Sequence, residues 1–228
     1  MIDKSKQLTD FIKLFSLDQV FSPELMAHFK LEELSKGTKL CGLGEPLETF
    51  FLLVEGKLKI YTLQENGKKI LIRFYRPLSI VGDLEYLSHY PPNAIVETQE
   101  ASILISVPME IIRNHTYDCP KFLRFVITQL SQKLYTYSNA SAMNLVYPLE
   151  NRIASYLWSL SKITDDKQLE EIRVSSLEEM ANLLCTSYRH LNRVLCLLES
   201  KQIIARNRGK IRIIDFEKLN DLSVGLFE

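Results

Sequence analysis

The sequence predicts an α+β chain in three parts: an antiparallel β-domain, a long helix, and a winged helix-turn-helix. Three observations carry this. Residues 36–108 break into short apolar or alternating runs separated by glycines. Residues 120–144 keep one narrow apolar seam, and residues 174–199, followed by a basic hairpin, have the spacing of two short helices and a wing. The expected boundaries are 1–119, 120–145 and 146–228. A chain of 228 residues, 46% of them hydrophobic, has material for two ordinary cores.

In chain order, Leu8–Phe15 and Ser22–Phe29 are expected to be short helices. The second opens on Ser22-Pro23-Glu24, a capping residue followed by proline at the first helical position. Phe50–Val54 is an apolar strand, Lys57–Leu63 alternates polar and apolar, and Ile70–Tyr75 is a third strand, with Glu65-Asn66-Gly67 as a hairpin turn before it. Ala94–Glu97 and Ser102–Val107 follow. Many short strands with regular turns argue for a closed or double-layered antiparallel domain.

From Pro120 to about Asn144, Leu123, Ile127, Leu130, Leu134 and Tyr137 recur at alternating spacings of four and three, continuing to Ser141. That is a heptad seam. A long helix with one narrow seam pairs most simply with its own copy, although the seam could instead pack on its own β-domain. Asn144–Pro148 is the expected hinge, and Pro148 opens a helix to about Ser161. Ile163–Gln168 is expected to be a polar loop, Glu171–Val174 a short strand, and Asp215–Gly225 a terminal helix.

Ser176 with Glu179 three residues on is the pattern of a capping box, so a helix should start there. Met180, Leu183 and Leu184 share one face, and Cys185-Thr186-Ser187 break the pattern. In the next helix Leu191, Val194, Leu195 and Leu198 form the apolar face at i, i+3, i+4 and i+7, leaving Tyr188, Arg189, Asn192 and Arg193 on the other. Two short helices with a tight turn suit a DNA major groove, yet the same pattern fits an ordinary helical hairpin with a solvated face. The following segment favours DNA. Ile203–Ile214 reads as a two-stranded wing turning at Asn207-Arg208-Gly209. Between Tyr188 and Arg212 the basic residues are Arg189, Arg193, Lys201, Arg206, Arg208, Lys210 and Arg212, against Glu199 alone as the acid. The whole chain is formally neutral, with 28 basic and 28 acidic residues, so this concentration is local. Arg206, Arg208 and Lys210 are the expected phosphate contacts of the wing.

Composition narrows the alternatives. Cys41, Cys119, Cys185 and Cys196 lack CxxC or zinc spacing, and His28, His89, His115 and His190 show no ligand pattern, so no metal site is expected. Cys185 and Cys196 fall where small, half-buried residues belong. The first ten residues have no apolar signal region and no run approaches membrane-span length, which implies a cytoplasmic protein with no membrane partner. The Asn114-His115-Thr116 and Asn139-Ala140-Ser141 acceptor triplets then carry no meaning. A barrel enzyme would need a cluster of His and carboxylates, and the β-domain offers only His89, so no catalysis is expected.

The order of parts resembles the cyclic-AMP receptor and fumarate–nitrate regulator (Crp/Fnr) family of transcription factors across essentially the whole chain. The specific marks are Gly44-Glu45, Gly56 in VEGKLKIY, Asn66-Gly67, Val81-Gly82-Asp83-Leu84, and Asn151-Arg152-Ile153-Ala154. The combination of Tyr147–Arg152 with Thr186–Leu191 looks closest to the YeiL-like branch. The resemblance implies a double-stranded β-roll of the cyclic-nucleotide-binding type, a dimerisation helix using the seam above, and a homodimer on an inverted-repeat operator in double-stranded DNA. RNA polymerase would be a partner if the protein is an activator. The resemblance also places Tyr188, Arg189 and Arg193 at base-contacting positions and Asn192 at a further groove-facing one. Arg189 stands where the family often has Glu, so it would donate to guanine rather than accept from cytosine. Ser187, at the N-terminus of the same helix, is placed to bind phosphate.

Departures from the family matter as much. Where cyclic-nucleotide binders end the cassette with Arg and Ser or Thr, this chain has Pro91-Pro92-Asn93-Ala94, and Asp83 replaces the usual ribose-binding Glu. A phosphate without its bidentate cation loses much of its binding energy, so cyclic AMP is not expected as effector and no cofactor is predicted. No cysteine precedes Cys41, which removes the family's N-terminal iron–sulfur site. Phe74, Tyr75, Leu84, Tyr86, Leu87, Tyr90 and Ile95 are expected to fill the roll rather than line a pocket, and Cys119 is the one redox candidate. The competing reading is a protein-interaction module that keeps the fold without specific DNA binding.

Overall fold

The computed structural model describes residues 4–65, 67–88, 90–164, 167–168, 171–174, 176–225 and 227, with the side chains of 139–145, 162–164 and 167–168 excepted. The turn residue Asn66, the side chain of the seam position Ser141, and His89 lie outside the described residues. Contacts divide the chain into two units, one of Met1–Ile60 with Tyr75–Leu134 and one of Tyr61–Phe74 with Tyr135–Glu228.

The first unit opens with α1 (Lys4–Leu14) and α2 (Pro23–Met26). Ser22 caps α2 by accepting from the Leu25 amide, with Pro23 at the first helical position as the sequence implies. The helix stops at Met26 rather than Phe29, because Phe29 turns into the core and strand β1 (Lys30–Leu34) begins directly after it. In chain order the strands β2 (Lys39–Cys41), β3 (Thr49–Glu55), β4 (Leu58–Leu63), β5 (Lys69–Tyr75) and β6 (Ser79–Val81) follow, the end of β4 and nearly all of β5 counting with the second unit. Helix α3 (Asp83–Ser88), β7 (Ile95–Thr98), β8 (Ser102–Pro108) and α4 (Met109–Thr116) complete the β-rich part. Two four-stranded sheets result, ordered β1-β8-β3-β6 and β2-β7-β4-β5. In the antiparallel β3–β8 pair, Phe50 faces Val107 and Leu52 faces Ile105, all four fully buried. Gly56, between β3 and β4, has φ +90°, and a Cβ there would lie 2.7 Å from the Ala101 carbonyl oxygen, so only glycine fits this corner.

The alternation of Lys57–Leu63 does not produce a wet strand face. Lys57 and Lys59 are both buried, and Lys59 pairs with Glu97 at 3.2 Å. The aromatic and apolar residues expected to fill the roll also divide. Tyr86 and Ile95 are buried, Tyr75 is half-buried, but Leu84, Leu87 and Tyr90 face solvent. The reason is local: Leu84 and Leu87 lie on the outer side of α3, whose inner side is taken by Asp83 and Tyr86.

Helix α5 (Pro120–Val146) is continuous over 27 residues. It buries Phe122 and Val126 in a cluster with Phe21, Phe50 and Tyr86, the Tyr86 ring meeting Phe122 edge-on at 5.2 Å.

In the second unit, α6 (Leu149–Ser161) is buried along nearly its whole length. The segment read as a polar loop instead pairs β9 (Lys162–Thr164) with β10 (Lys167–Gln168). Strand β11 (Glu171–Arg173) joins a three-stranded sheet ordered β11-β13-β12, made with β12 (Ile204–Asn207) and β13 (Lys210–Ile213). Between them run α7 (Leu177–Leu183) and α8 (Tyr188–Ser200), and α9 (Phe216–Leu222) ends the order. Asp215 caps α9, accepting from the Lys218 amide, and the helix ends at Leu222, short of the expected Gly225. The hairpin segment Tyr61–Phe74 belongs to this unit. There the Phe74 ring packs 5.9 Å from that of Tyr156, and the Phe74 amide donates to the Phe227 carbonyl at 3.1 Å.

Candidate nucleic-acid interface

Helix α7 starts where Ser176 accepts hydrogen bonds from the Glu178 and Glu179 amides at 3.1 and 3.4 Å. Met180, Ala181 and Leu183 face inward. The chain then turns through Leu184–Ser187, with Cys185 at φ +50°. That left-handed conformation is one a side chain takes at a cost of about 1–2 kcal/mol, and it is held by neighbouring bonds. The Thr186 amide donates to the Ala181 carbonyl at 2.9 Å, and the Arg152 guanidinium donates to the Leu184 carbonyl. Cys185 itself is exposed, as is Cys196 on α8, so neither is the half-buried residue its position suggested. Tight turns push such side chains outward.

Ser187 caps α8, accepting from the His190 amide at 3.2 Å. Leu191, Val194, Leu195 and Leu198 are buried, the apolar face expected from their spacing. On the opposite face Tyr188, Arg189 and Arg193 are exposed and Asn192 is half-buried. The wing follows at once. Asn207 pairs with Lys210, so the turn is the two residues Arg208 and Gly209, the latter at φ +74°. Beside it a shallow cavity of about 230 Å³ is lined by Val174, Leu177 and residues 206–211.

A model of the Crp-like helix-turn-helix domain matches residues 151–222, and a model of the cyclic nucleotide-binding domain matches residues 31–115. The chain belongs to the Crp/Fnr family. The regulator is 25% identical to the regulatory protein YeiL of Escherichia coli O157:H7, over 79% of this chain and 80% of that one. It is 21% identical to the fumarate and nitrate reduction regulatory protein of Vibrio cholerae, over 92% and 82% respectively. Among solved structures, a crp/fnr-family transcriptional regulator from Eubacterium rectale superposes with a TM-score of 0.78 at 18% identity, covering 93% of this chain and 98% of the other. The regulator is therefore a Crp/Fnr-type transcription regulator with a helix-turn-helix DNA-binding domain. Among the described residues no helix is long and apolar enough to cross a membrane, and no three His, Cys, Asp or Glu side chains gather as a metal site.

The expected contact residues of this Crp/Fnr regulator do not all share one state. Arg206 is turned inward: Nε and Nη2 meet Glu199 Oε2 at 2.7 and 2.6 Å, Nη1 donates to Asn192 Oδ1 at 2.6 Å, and Nη2 lies 3.0 Å from Cys196 Sγ. Glu199 Oε1 also accepts the Arg206 amide at 2.9 Å. The hydrogen bonds from Arg206 hold the Glu199 carboxyl below its ordinary range, and the guanidinium is raised in turn. Strand β12 is thus clamped to α8 through a side chain that the charge count alone offers to phosphate. Lys210 pairs with Glu171 at 2.5 Å and Lys201 with Glu150 at 2.6 Å. Among the described residues Arg189, Arg193, Arg208 and Arg212 pair with no acid, and all four are exposed. Glu171 and Glu150 lie outside the segment whose charges were counted, which is why sequence could not foresee these pairs.

The seam residues of α5 also divide. Ile127, Leu134 and Tyr137 are exposed, whereas Leu123 and Leu130 are half-buried against the core of their own β-roll. Cys119 likewise packs on that core, the position of a small apolar side chain.

Proposed function

We propose that the protein binds an inverted-repeat operator as a homodimer, in the cytoplasm, through its helix-turn-helix, and carries a sensor domain that takes no cyclic nucleotide. The observation that carries the DNA reading is the exposed polar face of α8, where unpaired Arg189 and Arg193 flank half-buried Asn192 on a helix capped by Ser187. On this reading Tyr188, Arg189, Asn192 and Arg193 meet base edges, while Ser187 and Arg208 meet phosphate. Lys210 reaches phosphate only by sharing its ammonium with Glu171. Arg206 acts indirectly: its bond to Asn192 Oδ1 leaves the amide NH2 as that residue's group for the groove.

Dimerisation is supported by three large apolar side chains left in water on one face of α5, an arrangement a helix in a single copy gains nothing from. Two copies of α8 held one DNA turn apart require a two-fold symmetric site.

The β-roll does not fit a cyclic nucleotide. Asp83, the carboxylate that stands for the ribose ligand, is already gripped by Lys133 at 2.7 Å. Residues 91–94 present two prolines, Asn93 and Ala94, and no cation for the phosphate.

Selection of bound DNA from a random pool, with and without cell extract, tests the reading. An enriched inverted repeat is the expected outcome. Enrichment of single half-sites or of no sequence would overturn it, and a motif enriched only with extract would reveal an effector.

A further inference from the structure

Lys133 occupies an inward position of α5 that continues an apolar line. Phe122 and Val126 precede it on the same face, both fully buried, and Val126 lies one heptad before it. The Lys133 side chain is itself only 17% exposed. Its ammonium donates to Asp83 Oδ2 at 2.7 Å and to the Ile80 carbonyl at 2.8 Å. It also lies 4.6 Å from the centre of the Tyr75 ring. Asp83 is 4% exposed, so water does not screen this pair as it would a surface one. An anion, a neutral acceptor and an aromatic face make the elements of an ammonium site, and they come from α3, β6 and β5 rather than from the helix that supplies the cation.

We propose that the β6–α3 corner of the roll is a binding site for a primary ammonium group, filled in cis by Lys133. The chemistry selects the class. Two oxygen acceptors at hydrogen-bonding distance require N–H donors, which excludes quaternary ammonium ions, and the aromatic wall favours a cation carrying an alkyl stem. Because the lysine is tethered, its effective concentration is in the millimolar range or above, and free amines reach the corner only when the side chain is removed.

Lys133→Ala removes Cγ, Cδ, Cε and Nζ, the atoms of propylammonium. The variant should unfold at a lower temperature than the parent, and propylammonium at ten times its dissociation constant should raise its Tm by about 3–5 °C. Tetramethylammonium and sodium at equal ionic strength should not, and neither should propylammonium on the parent or on Lys133→Ala/Asp83→Asn. Equal responses to propylammonium and tetramethylammonium, or rescue that survives loss of Asp83, would overturn the proposal. Should Lys133→Ala fail to fold, Lys133→Met keeps the stem. The double variant Lys133→Met/Asp83→Asn should then melt higher than Lys133→Met alone, because the stranded carboxylate is gone. Additive losses would overturn it. None of these readouts uses DNA, so their outcome is separate from that of the operator reading.

Discussion

A carboxylate placed on the outward face of α5 separates a dimerisation seam from a solvated stripe. Ile127, Leu134 and Tyr137 are 58%, 67% and 56% exposed. Leu130, at the centre of the heptad, is a poor probe because it also packs on the core of its own subunit, so Leu130→Asp would damage the monomer as well. Leu134→Asp has no such second effect. Full burial of a leucine side chain is favourable by about 1.5–3 kcal/mol, so docking the two-thirds of Leu134 still in water is worth about 1–2 kcal/mol per subunit and about 2–4 for a symmetric pair. Two unpaired carboxylates facing each other across the interface add several kcal/mol more. The dimer of Leu134→Asp should therefore dissociate about 10³–10⁴-fold more readily, from a loss of roughly 5 kcal/mol. Sedimentation at micromolar concentration measures this, with circular dichroism to show retained helix. A Leu134→Asp protein that dimerises at parental strength refutes the seam, as does a parent protein that is monomeric with and without DNA.

Four other outcomes are expected. Arg193→Ala should weaken binding to the selected operator by about 1–3 kcal/mol and leave scrambled DNA nearly unaffected; equal losses on both would make Arg193 a phosphate contact only. Arg208→Ala should lower the slope of log K against log salt by about 0.9, whereas Arg206→Ala should act by loosening the wing and lower the melting temperature without DNA present. Calorimetric titration with cyclic AMP or cyclic GMP at millimolar concentration should show no binding; micromolar affinity for either contradicts the assignment of Asp83 to Lys133. The Glu199–Arg206 pair should stabilise the fold by roughly 1 kcal/mol, because it is partly solvated. Since the folded carboxyl sits below its ordinary value of 4.5, that contribution is present above pH 4.5 and lost as the pH falls through the lower folded value. The stability gap between the parent and Glu199→Gln should close over that acid range, and a gap that widens there would contradict the pairing.

What sequence could reveal followed from local pattern. Ser22 and Ser176 were readable as caps because capping is satisfied within three residues, and each accepts the amide its position implies. The buried face of α8 was readable because its period is the helix's own. Strands β1, β2 and β6 were not, being five residues or fewer with no alternation to mark them. Charge was legible as a cluster but not as a direction. Arg206 and Lys210 find acids through the sheet and helix packing of the folded unit, at separations no local window spans for Glu171. Lys133 was likewise invisible, since within α5 it reads as one more polar residue and its partner Asp83 lies fifty residues earlier.

The adjacency of Lys133 and Leu134 gives α5 a way to report the state of the roll. Successive residues on a helix are separated by about 100° around its axis, and side chains reach about 5–6 Å from it. Phe122, Val126 and Lys133 bind one side of α5 to its own roll, while Ile127 and Leu134, each next in sequence to one of these, stand on the open side. A rotation of about 20° that freed Lys133 from Asp83 would carry the tip of Leu134 through about 2 Å, the size of the helix shifts by which packed interfaces switch. The roll needs no large rearrangement to alter the seam. Lys133 is one of the polar contacts such a rotation would have to release, the other on the next turn being Thr136, which accepts from Arg73 at 2.7 Å. If that geometry governs the dimer, Lys133→Met should change the dimer dissociation constant although residue 133 faces its own roll, and by reciprocity Leu134→Asp should change the Lys133–Asp83 coupling measured by melting by the same free energy; a coupling that Leu134→Asp leaves untouched would refute the link.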